Sequence, residues 1–184
     1  MKLWTTMSES VYAETLVKTD IYRCNPEKCE MLLNDTDDLR YRKAYEWMSE
    51  RMQQSIGNAP EGVHYPVWAW YQVRGIHARP DLRWFEFRHF KYPMVLIEFE
   101  IADSKVLLSD EEKWTCAQLN DGPWCETQKE MSWYYQCPED PLRQKFKKET
   151  WTRIFDIKGS ERIQATCWEI QKDMVTEIWH YNRK

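Results

Sequence analysis

Residues 65–73 read YPVWAWYQV, and the placement of this stretch decides the fold. Its β-branched and aromatic residues show no helical period, which argues for an extended strand. Successive strand side chains point to opposite faces, so Trp68, Trp70 and Gln72 share one face and Val67, Ala69, Tyr71 and Val73 the other. Both faces are apolar, the pattern of a strand covered on two sides in the middle of a sheet. The Trp68/Trp70/Gln72 face has a polar end and leads towards RPDLRW at 79–84. That face is either a core wall or a platform for something flat.

Working outward, residues 2–7 alternate weakly and predict a short strand, followed by a helix through Val17 capped by Ser8 or Ser10. From Leu39 to Ile56, the residues Tyr41, Ala44, Tyr45, Met48, Met52 and Ile56 recur at helical steps. NDTDD at 34–38 reads as the loop that starts this helix, and Gly57 ends it. MVLIEFEI at 94–101 predicts a strand with Val95, Ile97, Phe99 and Ile101 buried. Its other face, Met94, Leu96, Glu98 and Glu100, becomes wet towards its end. KVLLSD at 105–110 predicts a further strand, after which Ser109 or Asp110 caps a helix over 111–119. A helix starts at Asp140 or Pro141 and runs to Phe155 with Arg153 solvated, and RIQATCWEI and MVTEIWHYN close the chain as strands. The expected fold is α+β, a single compact domain over 1–184, with mixed or antiparallel sheet or sheets of about five to seven strands packed with about three to four helices.

Composition narrows the function classes. Twenty-six basic against 30 acidic residues give a net charge of −4, too little field to hold extended nucleic acid. The amino-terminal stretch lacks the apolar core of a signal peptide, and no window is apolar enough to span a bilayer, so the expectation is a soluble, cytoplasmic protein without membrane contact. The six cysteines (24, 29, 116, 125, 137 and 167) form no Cys-x-x-Cys, and His64, His77 and His89 form no ligand pattern. Neither a metal nor a cofactor is therefore expected, and the cysteines read as thiols of a reducing compartment. Glycine-rich phosphate loops and the Gly-x-Ser-x-Gly elbow are absent, which argues against nucleotide hydrolysis and serine hydrolase chemistry.

The positive signal is aromatic: 11 Trp, 10 Tyr and 6 Phe in 184 residues. Arg79, Asp81 and Arg83 alternate along RPDLRW and, if extended, form either an ion-pair ladder or an anion-binding fork. Gln164 and Thr166 share a face with Trp168, opposite Glu169, and either satisfy backbone or read a ligand edge. Ser109, Asp110 and Trp114 are a helix cap and a core ring, or part of a pocket wall. The candidate ligand-binding set is Trp68, Trp70, Gln72, Arg79, Asp81, Arg83, Ser109, Asp110, Trp114, Gln164 and Thr166. In it, Trp68, Trp70 and Trp114 act as apolar walls, and Arg79, Arg83 and Gln164 read a nucleotide-like or other planar anionic ligand.

KLWT at 2–5, YEWMSERM at 45–52, YPVWAWYQ at 65–72, RPDLR at 79–83, VLLSDEEKW at 106–114, ETWTRIF at 149–155 and IQATCWEI at 163–170 carry a resemblance in this order. Together they resemble an uncharacterised family of bacterial and phage proteins, the domain of unknown function numbered 3841. The resemblance implies no particular reaction. In that pattern a His follows the Trp after Ser-Asp, where this chain has Thr115. In a phage or bacterial defence setting, a binder of this kind would sequester a signalling nucleotide. The order of elements also looks like the ADP-ribosyltransferase fold, which holds NAD between two small sheets. That likeness implies an NAD-processing enzyme with Glu169 at the nicotinamide ribose and Tyr45 or Tyr71 on the ring, although KLWTT lacks the usual first-strand His or Arg. A third reading is a protein-interaction module or homo-oligomer whose aromatics meet a partner.

Overall fold

The computed structural model describes residues 1–33, 40–87, 93–119 and 122–182, so NDTDD, Leu39 and His89 lie outside the described residues. The strands are β1 (Lys2–Ser8), β2 (Ile21–Tyr22), β3 (Val67–Gln72), β4 (Met94–Glu100), β5 (Leu107–Asp110), β6 (Ile163–Cys167), β7 (Ile170–Gln171) and β8 (Val175–Tyr181). The α-helices are α1 (Glu9–Tyr12), α2 (Glu30–Leu33), α3 (Arg40–Ile56), α4 (Glu111–Gln118), α5 (Gln128–Gln136) and α6 (Asp140–Trp151). Six strands form one sheet in the order β5-β6-β3-β1-β4-β8, antiparallel at every pairing, and β2 pairs with β7 in a second. The fold is thus α+β with an antiparallel sheet, as the sequence pattern predicts. β3 sits between β6 and β1, where its two apolar faces require it to be.

One face of the sheet is closed. Leu3, Met7, Val67, Ala69, Val95, Ile97, Phe99, Ala165 and Cys167 pack there with Leu16, from the turn after α1, and Ile170 of β7. The opposite face carries two separate clusters. At the β6 side, the α3 stripe of Ala44, Tyr45, Met48 and Met52 packs with Trp114, Trp151 and Ile154, and Trp68 lies against them. Towards β4 and β8, Trp4, Leu96 and Met94 pack with Val73, Leu82 and Phe87, and Trp70 and Trp179 lie against those. Between the two clusters, the sheet face stays open above β3 and β6.

Three local expectations are corrected. RPDLRW is not extended: residues 79–81 are irregular, 82–84 turn, and Phe85–Phe87 is a 3-10 turn. Glu98 is not wet but 8% exposed. It accepts from Trp4 Nε1 at 3.1 Å and Thr176 Oγ1 at 2.9 Å, and Lys2 Nζ lies 2.7 Å away, so its charge is fully paired. Arg153 is not solvated, because Glu130 takes it in a two-oxygen grip at 2.5 and 2.9 Å. That Glu130 belongs to α5, a helix the apolar pattern does not announce. A capping box starts it, with Thr127 Oγ1 accepting from Glu130 N and Glu130 accepting from Thr127 N.

Candidate functional site

The open stretch of sheet forms a cleft of about 640 Å³. Its floor is β3 and β6, which present Trp68, Trp70 and Gln164, with Arg162 just before β6, and α4 and α3 supply the side walls through Trp114, Glu111 and Tyr45. Asp110 makes this placement possible. Its side chain accepts from Lys113 N at 2.9 Å, starting α4 immediately after β5 and placing Trp114 one turn in. The Trp114 and Trp68 ring centroids lie 4.9 Å apart, and Tyr45 stands 5.8 Å from Trp68 and 6.2 Å from Trp114. Phe85 also lines the cleft and is 72% exposed, an aromatic side chain at the rim.

The polar atoms of this cleft set it apart. Among the described residues, five buried side-chain polar atoms lack a hydrogen-bond partner: Arg51 Nε, Trp68 Nε1, Ser109 Oγ, Glu111 Oε2 and Gln164 Oε1. Trp68, Glu111 and Gln164 line the cleft, and Ser109 lies directly across the β5–β6 ladder from Gln164. Folded proteins pair nearly all such atoms, and one left unpaired costs about 1–3 kcal/mol. Three of them lining one aromatic cleft, with a fourth next to it across the ladder, therefore need an explanation. Glu111 Oε2 does lie 3.0 Å from Arg162 Nε, but out of line for a hydrogen bond. Burial pushes the Glu111 carboxyl above the usual carboxylate range, with Arg162 opposing the shift. At the far wall the hydrogen bonds from Arg74 at 2.9 and 3.1 Å hold Glu86 below that range.

Two further clefts continue from this one. The first, of about 740 Å³, shares Glu86 and Arg162 and runs along the loop Lys158–Arg162. Lys113 in its wall is tied to Asp156 O at 2.6 Å, whereas Lys158 is exposed. The second, of about 450 Å³, shares Thr5, Thr6, Tyr45 and Trp68 and reaches Arg23, Lys28, Cys24 and Cys29.

Of the sequence-predicted residues, the structure brings together Trp68, Trp70, Trp114 and Gln164. The rest serve the scaffold. Thr166 is 0% exposed and donates to Leu107 O at 3.2 Å. Gln72 Nε2 donates to Ser160 O at 2.8 Å, and Asp110 accepts from Ser160 Oγ at 2.5 Å besides capping α4. The expected Arg79/Asp81/Arg83 fork does not form. Asp81 folds the turn onto itself by accepting from Arg83 N at 2.9 Å and from the Arg83 guanidinium at 2.6–3.0 Å, which removes the strand alternation. Arg79 lies over the Trp179 ring at 4.5 Å. None of the three lines the aromatic cleft. Glu169 accepts from Arg23 at 2.7 Å and from Gln171 at 2.7 Å and is not among the cleft residues, while Tyr71 stacks on His77 at 4.1 Å. The arrangement of one six-stranded sheet and one short strand pair lends no support to the ADP-ribosyltransferase likeness.

Sequence reading passed over Arg162, Glu111, Glu86 and Phe85. For Arg162 a signal was present, since RIQATCWEI reads as a strand that would place it two residues before Gln164 on one face, although the strand itself starts only at Ile163. Glu111 carried none, because an acidic residue in a first helical turn is ordinary.

A family described as Domain of unknown function (DUF3841) matches the chain over residues 2–141. The chain belongs to this family. The DUF3841 match contains Trp68, Trp70, Glu111 and Trp114 but ends at the start of α6, before Arg162 and Gln164. ETWTRIF and IQATCWEI therefore lie beyond it. No curated protein and no solved structure matches the chain. Among the described residues, no helix is long and apolar enough to cross a membrane, and no group of three or more His, Cys, Asp or Glu is placed to hold a metal ion.

Proposed function

We propose that this DUF3841 protein is a cytoplasmic binder of a nucleotide-like ligand, held with its base among Trp68, Trp70, Trp114 and Phe85. One observation carries the proposal: three of the five buried polar side-chain atoms that lack a hydrogen bond, on Trp68, Glu111 and Gln164, line this aromatic cleft. The aromatic walls supply stacking, worth about 1–3 kcal/mol per base. The unpartnered atoms supply directional recognition. Arg162, shared with the adjoining cleft, and Lys158 beyond it take the anionic end, the role that sequence alternation gave to Arg79 and Arg83. In a phage or bacterial setting such a binder withholds a signalling nucleotide from its receptor.

Titration of the purified chain with a nucleotide panel, read by quenching of tryptophan fluorescence and by the shift in Tm, tests this reading. At least one nucleotide is expected to quench, to raise Tm and to be recovered intact. Arg162→Ala should weaken its binding by about tenfold, the loss of one charge-assisted contact. Arg83→Ala should leave the affinity unchanged. Absence of any response across the panel, or equal losses in the two variants, would overturn the proposal.

A further inference from the structure

We infer that the cleft selects a guanine-type edge, a ring N–H beside an exocyclic NH2, over the edges of the other nucleobases. The inference rests on the nucleotide reading above and names the base it takes. It is carried by which of the unpartnered atoms can donate and which can only accept. An ionised Glu111 is acceptor-only and offers two oxygens side by side, whereas Trp68 Nε1 is donor-only. Gln164 offers either sense, according to how its terminal amide is turned.

Guanine presents two adjacent donors, N1–H and N2–H, followed by the O6 acceptor. The carboxylate of Glu111 can take the two donors in parallel, in the two-pronged geometry that a carboxylate favours. Trp68 Nε1 or the Gln164 amide then donates to O6. Adenine would set its N1 lone pair against the carboxylate. Uracil and cytosine would each set at least one carbonyl or ring-nitrogen acceptor there. An acceptor facing an acceptor at a covered carboxylate oxygen is penalised, so Glu111 discriminates by repulsion as well as by attraction.

The register makes the arrangement reachable by one base. Gln164 lies across the ladders from Ser109 on one side and Trp70 on the other, and Arg162, just before β6, lines the same cleft. Glu111 follows Ser109 by two residues, and its backbone N donates to Arg162 O at 3.1 Å. The readers therefore occupy neighbouring rows of one surface. Glu111 and Gln164 are partly exposed as whole side chains even though the named oxygens are covered. Their terminal torsions are broad, so rotation presents those oxygens to an entering base. Arg162 beside Glu111 favours the ionised carboxylate and carries its positive charge on into the cleft along Lys158–Arg162, where a phosphate attached to the base would lie.

The test compares the 5′-monophosphates of guanosine, inosine, adenosine, cytidine and uridine on the full chain at one pH and salt. Guanosine monophosphate should bind about tenfold or more tightly than adenosine monophosphate, the worth of one charge-assisted pair. The inosine form, which keeps N1–H and lacks the N2 amine, should fall between them. Glu111→Gln should abolish the guanine preference, lowering guanosine monophosphate affinity and raising that of adenosine monophosphate as the repulsion is lifted, and its retained Tm reports that it folds. Gln164→Leu should lower guanosine monophosphate affinity without removing its rank. Tight binding with no guanine preference, or with adenosine preferred, overturns this inference and leaves the nucleotide reading standing. No binding by any of the five overturns both.

Discussion

Glu111 concentrates the tension between stability and function in one carboxyl. Because burial raises its pKa, the native chain holds that proton more tightly than the unfolded chain does. Its contribution to stability is therefore greatest when protonated and falls as pH rises through the raised pKa. Glu111→Gln removes the cost of keeping a charge there, so stability at pH 7 should equal or exceed that of the parent, by up to about 1 kcal/mol, while guanine selectivity is lost. Denaturant melts at pH 7 check the first half, and a substantially destabilised variant would show that the carboxylate serves the fold instead. The charged turn at 79–83 gives the opposite case. Arg83 is 89% exposed and, among the described residues, pairs with Asp81 alone, so Arg83→Ala should change neither Tm nor ligand affinity measurably. In sequence only Asp81/Arg83 reads as a pair, since no arginine stands near Glu111 along the chain. What separates them is whether other elements bury the pair, and the spacing of charges along the chain does not encode that.

At the scale of elements, α5 depends on its start. Thr127→Ala should cost about 1 kcal/mol through the lost cap. The Glu130 carboxyl is held down at about 2, first by the hydrogen bond from Arg153 and then by the backbone amides of Glu126 and Thr127. Its folded pKa lies below the unfolded value, so its contribution is present above the unfolded pKa and is lost as pH falls towards about 2. Glu130→Gln should therefore flatten the acid limb of the stability curve in that window, read by urea melts over a pH series. The cap was legible as Thr-x-x-Glu at 127–130. The helix after it was not, because Met131, Trp133 and Tyr135 stay exposed and leave no buried stripe to mark the period. By contrast, α3, β3 and β4 were legible because each buries the residues that its period selects.

For the whole molecule, the closed and open sheet faces divide stability from recognition. Phe99 is fully buried on the closed face, and Phe99→Ala should cost about 3–5 kcal/mol, read in urea melts, with the affinity of the surviving folded fraction unchanged. The cleft exists because two clusters on the other face do not meet. The α3/α4 cluster ends at Trp68, and the Phe87/Leu82 cluster ends at Trp70. Trp70→Ala should thus affect ligand binding more than stability, as tryptophan quenching and melts on the same variant would show.

By itself the amino-acid sequence determined the α+β class, the central position of YPVWAWYQV and the face on which Trp68 and Trp70 stand. Those follow from local periodicity, which the pleat converts directly into faces. Only the tertiary structure decided that Arg162 and Glu111, not Arg79 and Arg83, flank those rings. It also decided that Ser109, Thr166 and Gln72 belong to the scaffold. Strand alternation can be read only where a strand exists. Where Asp81 closes a turn the alternation ends, and which charges then meet an aromatic face is settled by the packing of β5, β6 and α4 across long stretches of chain.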